Sequence, residues 1–182
     1  MKSEGGDNIS MYTGCTACVV LVTETEIYCA NAGDSRAVLS NGGKAIEMSI
    51  DHKPELPGEK ARIEKAGGFV EDNRVKGILN LSRSLGDLEY KQDPSIPVDQ
   101  QMITCVPEIK VEKLTKNHDF IFIACDGIWD CLTSQEAITM CREWLGTSEA
   151  KGNLSACIEQ MFDKIIASDV ASSGKRMVNK IV

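Results

Sequence analysis

Between residues 12 and 50, four segments of strand character follow one another with no helical segment among them. They read CTACVVLV, EIYCANAG, RAVLS and KAIEMSI, rich in Val, Ile and Tyr and parted only by turn residues. Asn41-Gly42 between the last two is a hairpin signal that makes those two antiparallel neighbours. A short helix is expected in PELPGEKARIEKAGG, closed by Gly67 and Gly68. FVEDNRVKGILNLSRSLGD returns to short strands and turns, and a loop at 93–101 leads to two more strands, MITCVPEIKVEKL and DFIFIAC. Two amphipathic helices follow: 134–145, begun by Ser134 with Glu136 in its first turn, and about 153–168. Strands in runs, helices in separate runs and no βαβ alternation predict an α+β fold with antiparallel sheets.

Length and charge limit what such a fold can do. A chain of 182 residues is one ordinary domain, and it shows no repeat, low-complexity tract or linker. Its net charge of −7 repels phosphate backbones and anionic lipid, which argues against nucleic acid and membrane as partners. No run approaches the roughly 18 apolar residues of a membrane span, and MKSEGGDNIS lacks the apolar core of a signal peptide. An acidic protein that handles phosphate needs a local inversion of sign, which bound metal ions usually supply. Of eight cysteines, Cys18, Cys29, Cys125 and Cys141 lie within apolar patterns, as small hydrophobes do. Cys15 and Cys18 have metal-ligand spacing, but no second Cys/His pair completes a zinc set. Reduced core thiols in a cytoplasmic or nuclear setting are expected, which leaves the sequons at Asn8 and Asn153 without meaning.

The chemistry gathers where strands stop. DFIFIAC breaks into Asp126 and Gly127, with Trp129 and a second acid, Asp130, just beyond; EIYCANAG breaks at Gly33 into Asp34. An isolated carboxylate beside a core is costly. Each of these dipeptides, read singly, is an ordinary turn. Together, three carboxylates at strand ends can converge on one hard cation, since oxygen-only ligands suit Mg²⁺ or Mn²⁺. Neither site has the Asp/Asn alternation of an EF-hand loop.

GCTACVVLV, CANAGDSRAVL, DHKPELPGEKARIEKAGGFV, LNLSRSLGD and IACDGIWDCLTSQEA, in that order and spacing, resemble the metal-dependent type 2C serine/threonine protein phosphatases over residues 13 to 168. The resemblance implies two antiparallel sheets packed face to face with helices outside each, a four-layer α-β-β-α sandwich with its metal ions at one end. Asp126 matches an aspartate of the core binuclear centre; Asp34 and Asp130 match carboxylates that join Asp126 around a further, weaker ion. It implies Mg²⁺ or Mn²⁺ as cofactors, two in the complete domain besides that weaker third. The implied activity is hydrolysis of phosphoserine and phosphothreonine in phosphorylated protein substrates, by activated water, with no catalytic residue apart from the metal ligands. His52 matches a structural turn, Arg83 is expected to fix the local fold with Asp87, and Trp129 to pack beneath Asp126. Residues 66–78, with Gly67, Gly68 and Arg74, match the start of a variable flap and form a candidate substrate-contact region. Other phosphatase chemistries lack their residues: six residues, not five, separate Cys29 from Arg36, and neither Asp-x-Asp-x-Thr nor a Walker-type loop occurs.

The chain departs from the family pattern in two places. No Asp-Gly-His-Gly block, which carries the bridging ligand, occurs in it, and Lys175 and Arg176 stand where a terminal acid is expected. Residues 1–182 are therefore expected to be one partial catalytic domain, its C-terminal part, inactive by itself. The alternative is a non-catalytic phosphatase-like module that binds a partner or phosphoprotein.

Overall fold

The run of strands in residues 12–50 divides between two sheets. The computed structural model describes residues 11–147 and 153–166. In chain order it contains β1 (Gly14–Cys15), β2 (Ala17–Val22), β3 (Glu26–Ala32), β4 (Arg36–Asn41), β5 (Lys44–Glu47) and α1 (Pro57–Lys65). Then come β6 (Val70–Glu71), β7 (Arg74–Val75), β8 (Leu85–Gly86), β9 (Glu108–Lys113), β10 (His118–Ala124), α2 (Asp126–Trp129), α3 (Ser134–Leu145) and α4 (Leu154–Ile165). One three-stranded sheet has the order β2-β3-β9 and the other β10-β4-β5, all pairs antiparallel. β1 pairs with β8 and β6 with β7 in two small ribbons.

Side-chain alternation explains the packing. Ile27 and Cys29 of β3 face Ala37 and Leu39 of β4, with Met48 between, and Cys18, Val20, Ile46 and Ile121 complete the layer between the sheets. β4 is buried along both faces, because Val38 points the other way into a second cluster with Phe122, Trp129, Ile138, Cys141, Trp144 and Met161. That cluster sits beneath α3 and α4. A third cluster of Ile63, Val75, Tyr90, Met102 and Ile103 lies beneath α1.

The α+β class with antiparallel sheets holds. The four-layer arrangement is present only as three layers: among the described residues, helices cover the β10-β4-β5 sheet and not the other. The outer face of β2-β3-β9 carries two cross-strand rows, Val19–Ala30–Ile109 and Leu21–Tyr28–Val111. Val19, Leu21 and Ile109 are each more than 60% exposed there.

Local details refine the expectations. The hairpin turn is Gly42-Gly43, one residue later than Asn41-Gly42, and both glycines have positive φ (58° and 89°) as a primed turn requires. α3 is capped by Thr133, whose hydroxyl and Glu136 form a reciprocal capping box, so Ser134 is the first helical residue and not the cap. Asn153 caps α4 by accepting from the Ala156 N–H, so the Asn153 sequon falls at a helix start; residues 167 and 168 of the expected helix, like Asn8, Lys175 and Arg176, lie outside the described residues. In MITCVPEIKVEKL only 108–113 pair as a strand. Met102 and Ile103 turn into the third cluster, and Pro107, which has no N–H to give, stands just before the strand.

Candidate metal centre

Strand register brings two of the acids together. Ala124 of β10 lies opposite Arg36 of β4 in an antiparallel pair. Asp126 is two residues beyond Ala124 and Asp34 two residues before Arg36, so both leave the sheet at the same end. Asp130 follows the single helical turn that Asp126 opens, its N–H donating to the Asp126 carbonyl at 2.7 Å. Four residues apart on helical backbone, the two share one face.

The motif Asp51-His52-Lys53 holds this end in place, each residue meeting a different part of Gly33-Asp34-Ser35-Arg36. Asp51 accepts from Nε and Nη2 of Arg36, both at 2.9 Å. His52 Nδ1 lies 3.2 Å from the Gly33 nitrogen and 3.1 Å from its oxygen, so the imidazole grips the Gly33 peptide in either tautomer. The His52 N–H and the Asn31 side-chain amide both donate to the same Gly33 carbonyl, at 3.0 Å. Gly33 itself is obligatory: its φ is +126°, and a Cβ would run into Thr16. Lys53 donates to Asp34 Oδ2 at 2.6 Å.

Arg36 carries this support across to the other acids. Its guanidinium lies 4.9 Å from the centre of the Trp129 ring and donates to Ser134 at the start of α3. Trp129 donates to the Ala124 carbonyl at 2.8 Å and meets Phe122 edge to face at 5.5 Å. The turn that bears Asp126 and Asp130 is thus fastened below by Trp129, as expected of that residue.

The electrostatics centre on Lys53. Burial disfavours its charge, but the hydrogen bond and charge of Asp34, helped by Asp51 and Asp126, outweigh that and raise its pKa. One ammonium group thus feels both Asp34, which is 3% exposed, and Asp126. The three acids do not close into the single cluster their strand-end positions suggest. Among the described residues, no three Asp, Glu, His or Cys side chains lie close enough to hold a metal ion. Asp34 turns to Lys53 instead, and Asp130 is exposed. The donors are carboxylate oxygens, with no sulfur or imidazole among them, and a cation already stands at Asp34; this set fits a hard divalent ion as part of a larger site.

Other singled-out residues have structural work. His52 is 1% exposed, and burial foremost, then Arg83, lowers its pKa, so it stays neutral beside Glu108 at 3.5 Å. Arg83 pairs not with Asp87 but with Glu59, its Nη2 2.7 Å from Oε1. Burial opposes the Glu59 charge, but bonds from Arg83, Ser82 and Arg62 hold its pKa at about 2. Asp87 is a left-handed residue (φ 48°) beside Gly14, so its geometry serves the turn. Gly67 (φ 79°) and Gly68 end α1, and Gly68 packs closely against the Met102 thioether and Ile63. Arg74 donates to the Ile78 carbonyl at 2.6 Å across the turn that follows β7, and the β6-β7 hairpin itself turns at Asp72-Asn73. Cys29, Cys141 and Cys157 are buried core thiols. Lys53, Asp51 and Arg36 were not read from the sequence as parts of the site. Their signal was the packing of charged residues into two short motifs, DHK and GDSR.

With this geometry in hand, comparison with known proteins is decisive about class. The family model described as protein phosphatase 2C matches residues 2–174, and the chain belongs to that family. It is 47% identical over 160 residues to "Probable protein phosphatase 2C 21" of Arabidopsis thaliana, covering 88% of this chain and 44% of that protein. It is 45% identical over 162 residues to "Protein phosphatase 2C homolog 2" of Aspergillus fumigatus, covering 89% of this chain and 37% of that one. A crystal structure of a phosphatase from a pathogenic strain of Toxoplasma gondii superposes with a TM-score of 0.70 at 32% identity, over 77% of this chain and 43% of that chain. The chain spans less than half the length of these three relatives.

Proposed function

We propose that this chain forms the C-terminal part of a type 2C catalytic domain that hydrolyses phosphoserine and phosphothreonine in proteins. The observation that carries the reading is the β4-β10 register, which sets Asp34 and Asp126 at one end of the sheet with Lys53 sensing both. Asp126, Asp34 and Asp130 would hold Mg²⁺ or Mn²⁺ together with ligands from an Asp-Gly-His-Gly block, absent from these 182 residues. Bound divalent cations supply the positive charge that lowers the pKa of water and neutralises phosphoryl oxygens. The protein's own part is positioning: His52 fixes the peptide before Asp34, and Trp129 and Arg36 fix the turn bearing Asp126. In the complete domain the apolar rows of Val19, Leu21, Tyr28, Ile109 and Val111 are covered by a fourth, helical layer. The segment 66–78, where exposed Phe69 and Ile78 flank the Arg74 hairpin, is the proposed substrate-contact edge. Core thiols support a reducing compartment, the cytoplasm or nucleus.

The test is hydrolysis of a phosphothreonine peptide by the complete protein with Mn²⁺ or Mg²⁺, then with chelator. Turnover that needs the ion supports the reading, and full turnover in chelator contradicts it. Among the described residues no three metal-binding side chains come together, which favours a second reading for the isolated chain: a module that binds a partner or phosphoprotein without hydrolysing it.

A further inference from the structure

A lysine bonded to a candidate metal ligand is chemically awkward, because two cations then claim one oxygen. Lys53 donates to Asp34 Oδ2 at 2.6 Å. Its side chain is 30% exposed and that of Asp34 only 5%. A carboxylate this enclosed is costly without a compensating positive charge. Lysine suits the task, being a compact charge on a flexible stem that can swing into solvent. Arg36, the other cation at this end, is committed to Asp51 and Ser134.

We propose that Lys53 is a tethered counter-cation that occupies the Asp34 oxygen until a divalent ion displaces it, and so sets how weakly that ion binds. The proposal rests on the reading of Asp34 and Asp126 as cation ligands. It follows that ion binding must carry the cost of freeing Asp34 from Lys53. A binding-competent state that is only fractionally populated weakens the apparent affinity by that fraction. Once displaced, the Lys53 ammonium is free to move into solvent, since its side chain is already 30% exposed.

Mn²⁺ alone is the probe, with binding of the weaker ion to the complete protein followed by loss of the free-ion electron paramagnetic resonance signal. Lys53→Met should bind Mn²⁺ about tenfold more tightly than the parent, Lys53→Arg should stay near the parent, and Lys53→Met with Asp34→Asn should lose the gain. A second measurement needs no substitution: an amine-reactive acylating reagent should modify Lys53 of the parent chain faster in Mn²⁺ than in chelator. Equal affinity of parent and Lys53→Met, with unchanged acylation, overturns the proposal; if Asp34→Asn still weakens binding, the cation-site reading survives it. Absence of Mn²⁺ binding in the parent and in every variant overturns both.

Discussion

Arg36 meets both carboxylate oxygens of Asp51 at 2.9 Å while its guanidinium lies over the ring of Trp129. This one side chain joins the strand that follows Asp34 to the turn that carries Asp126. A lysine keeps the charge but loses the planar fork and the stacking. Arg36→Lys is expected to lower stability by about 1–3 kcal/mol, measured by urea unfolding. A change below a few tenths of a kcal/mol contradicts the role.

Trp129 fills the floor of the same turn at 9% exposure. Its truncation removes a large aromatic, its contact with Phe122 and a hydrogen bond to Ala124. Trp129→Ala is expected to cost about 3–5 kcal/mol and Trp129→Phe clearly less. The same unfolding experiment orders them; equal stability of the two variants would contradict the packing account.

The buried Glu59 makes an acid limb in stability. Its pKa falls from 4.5 to about 2 in the folded chain. A depressed carboxylate stabilises above its unfolded value, so the contribution is full above pH 4.5 and fades as pH falls towards 2. The linkage amounts to on the order of 3 kcal/mol. Glu59→Gln should therefore be less stable at neutral pH and show a flatter stability profile between pH 4.5 and 2. Parallel profiles for the two proteins would place the acid limb elsewhere.

The outer face of β2-β3-β9 gives a solution prediction. Val19, Leu21 and Ile109 form an exposed apolar surface, and such patches drive association unless covered. Leu21→Lys with Ile109→Lys is expected to reduce self-association of the isolated chain in sedimentation velocity. In the complete protein, where the proposed fourth layer covers this face, the same pair should instead destabilise. Indifference in both settings would remove the case for a missing layer.

Much of this was legible in the residues. The strand-to-acid breaks at Gly33-Asp34 and Ala124-Asp126 marked a candidate site end only in combination, because each alone reads as an ordinary turn while several carboxylates at strand ends call for compensation. Cross-strand register was not legible: no local pattern says that Arg36 faces Ala124, and that pairing puts Asp34 and Asp126 at the same end of the sheet. Partner choice was equally hidden. Asp87 is closer in sequence to Arg83, but α1 brings Glu59 against it from 24 residues away. Thr133 was missed as the cap of α3 although Glu136 follows it at capping-box spacing. Nothing local marks Lys53 either, since a lysine after His52 has the pattern of an ordinary solvated charge.

The central claim, that the acids at the Asp126 end hold divalent cations, is tested most directly by crystals of the complete protein soaked in Mn²⁺. An anomalous difference map collected at the manganese edge should show density within about 2.5 Å of an Asp126 carboxylate oxygen, and Asp126→Asn should weaken or abolish it. Manganese density only at sites remote from Asp34, Asp126 and Asp130, in a protein that still hydrolyses a phosphothreonine peptide, would contradict the account.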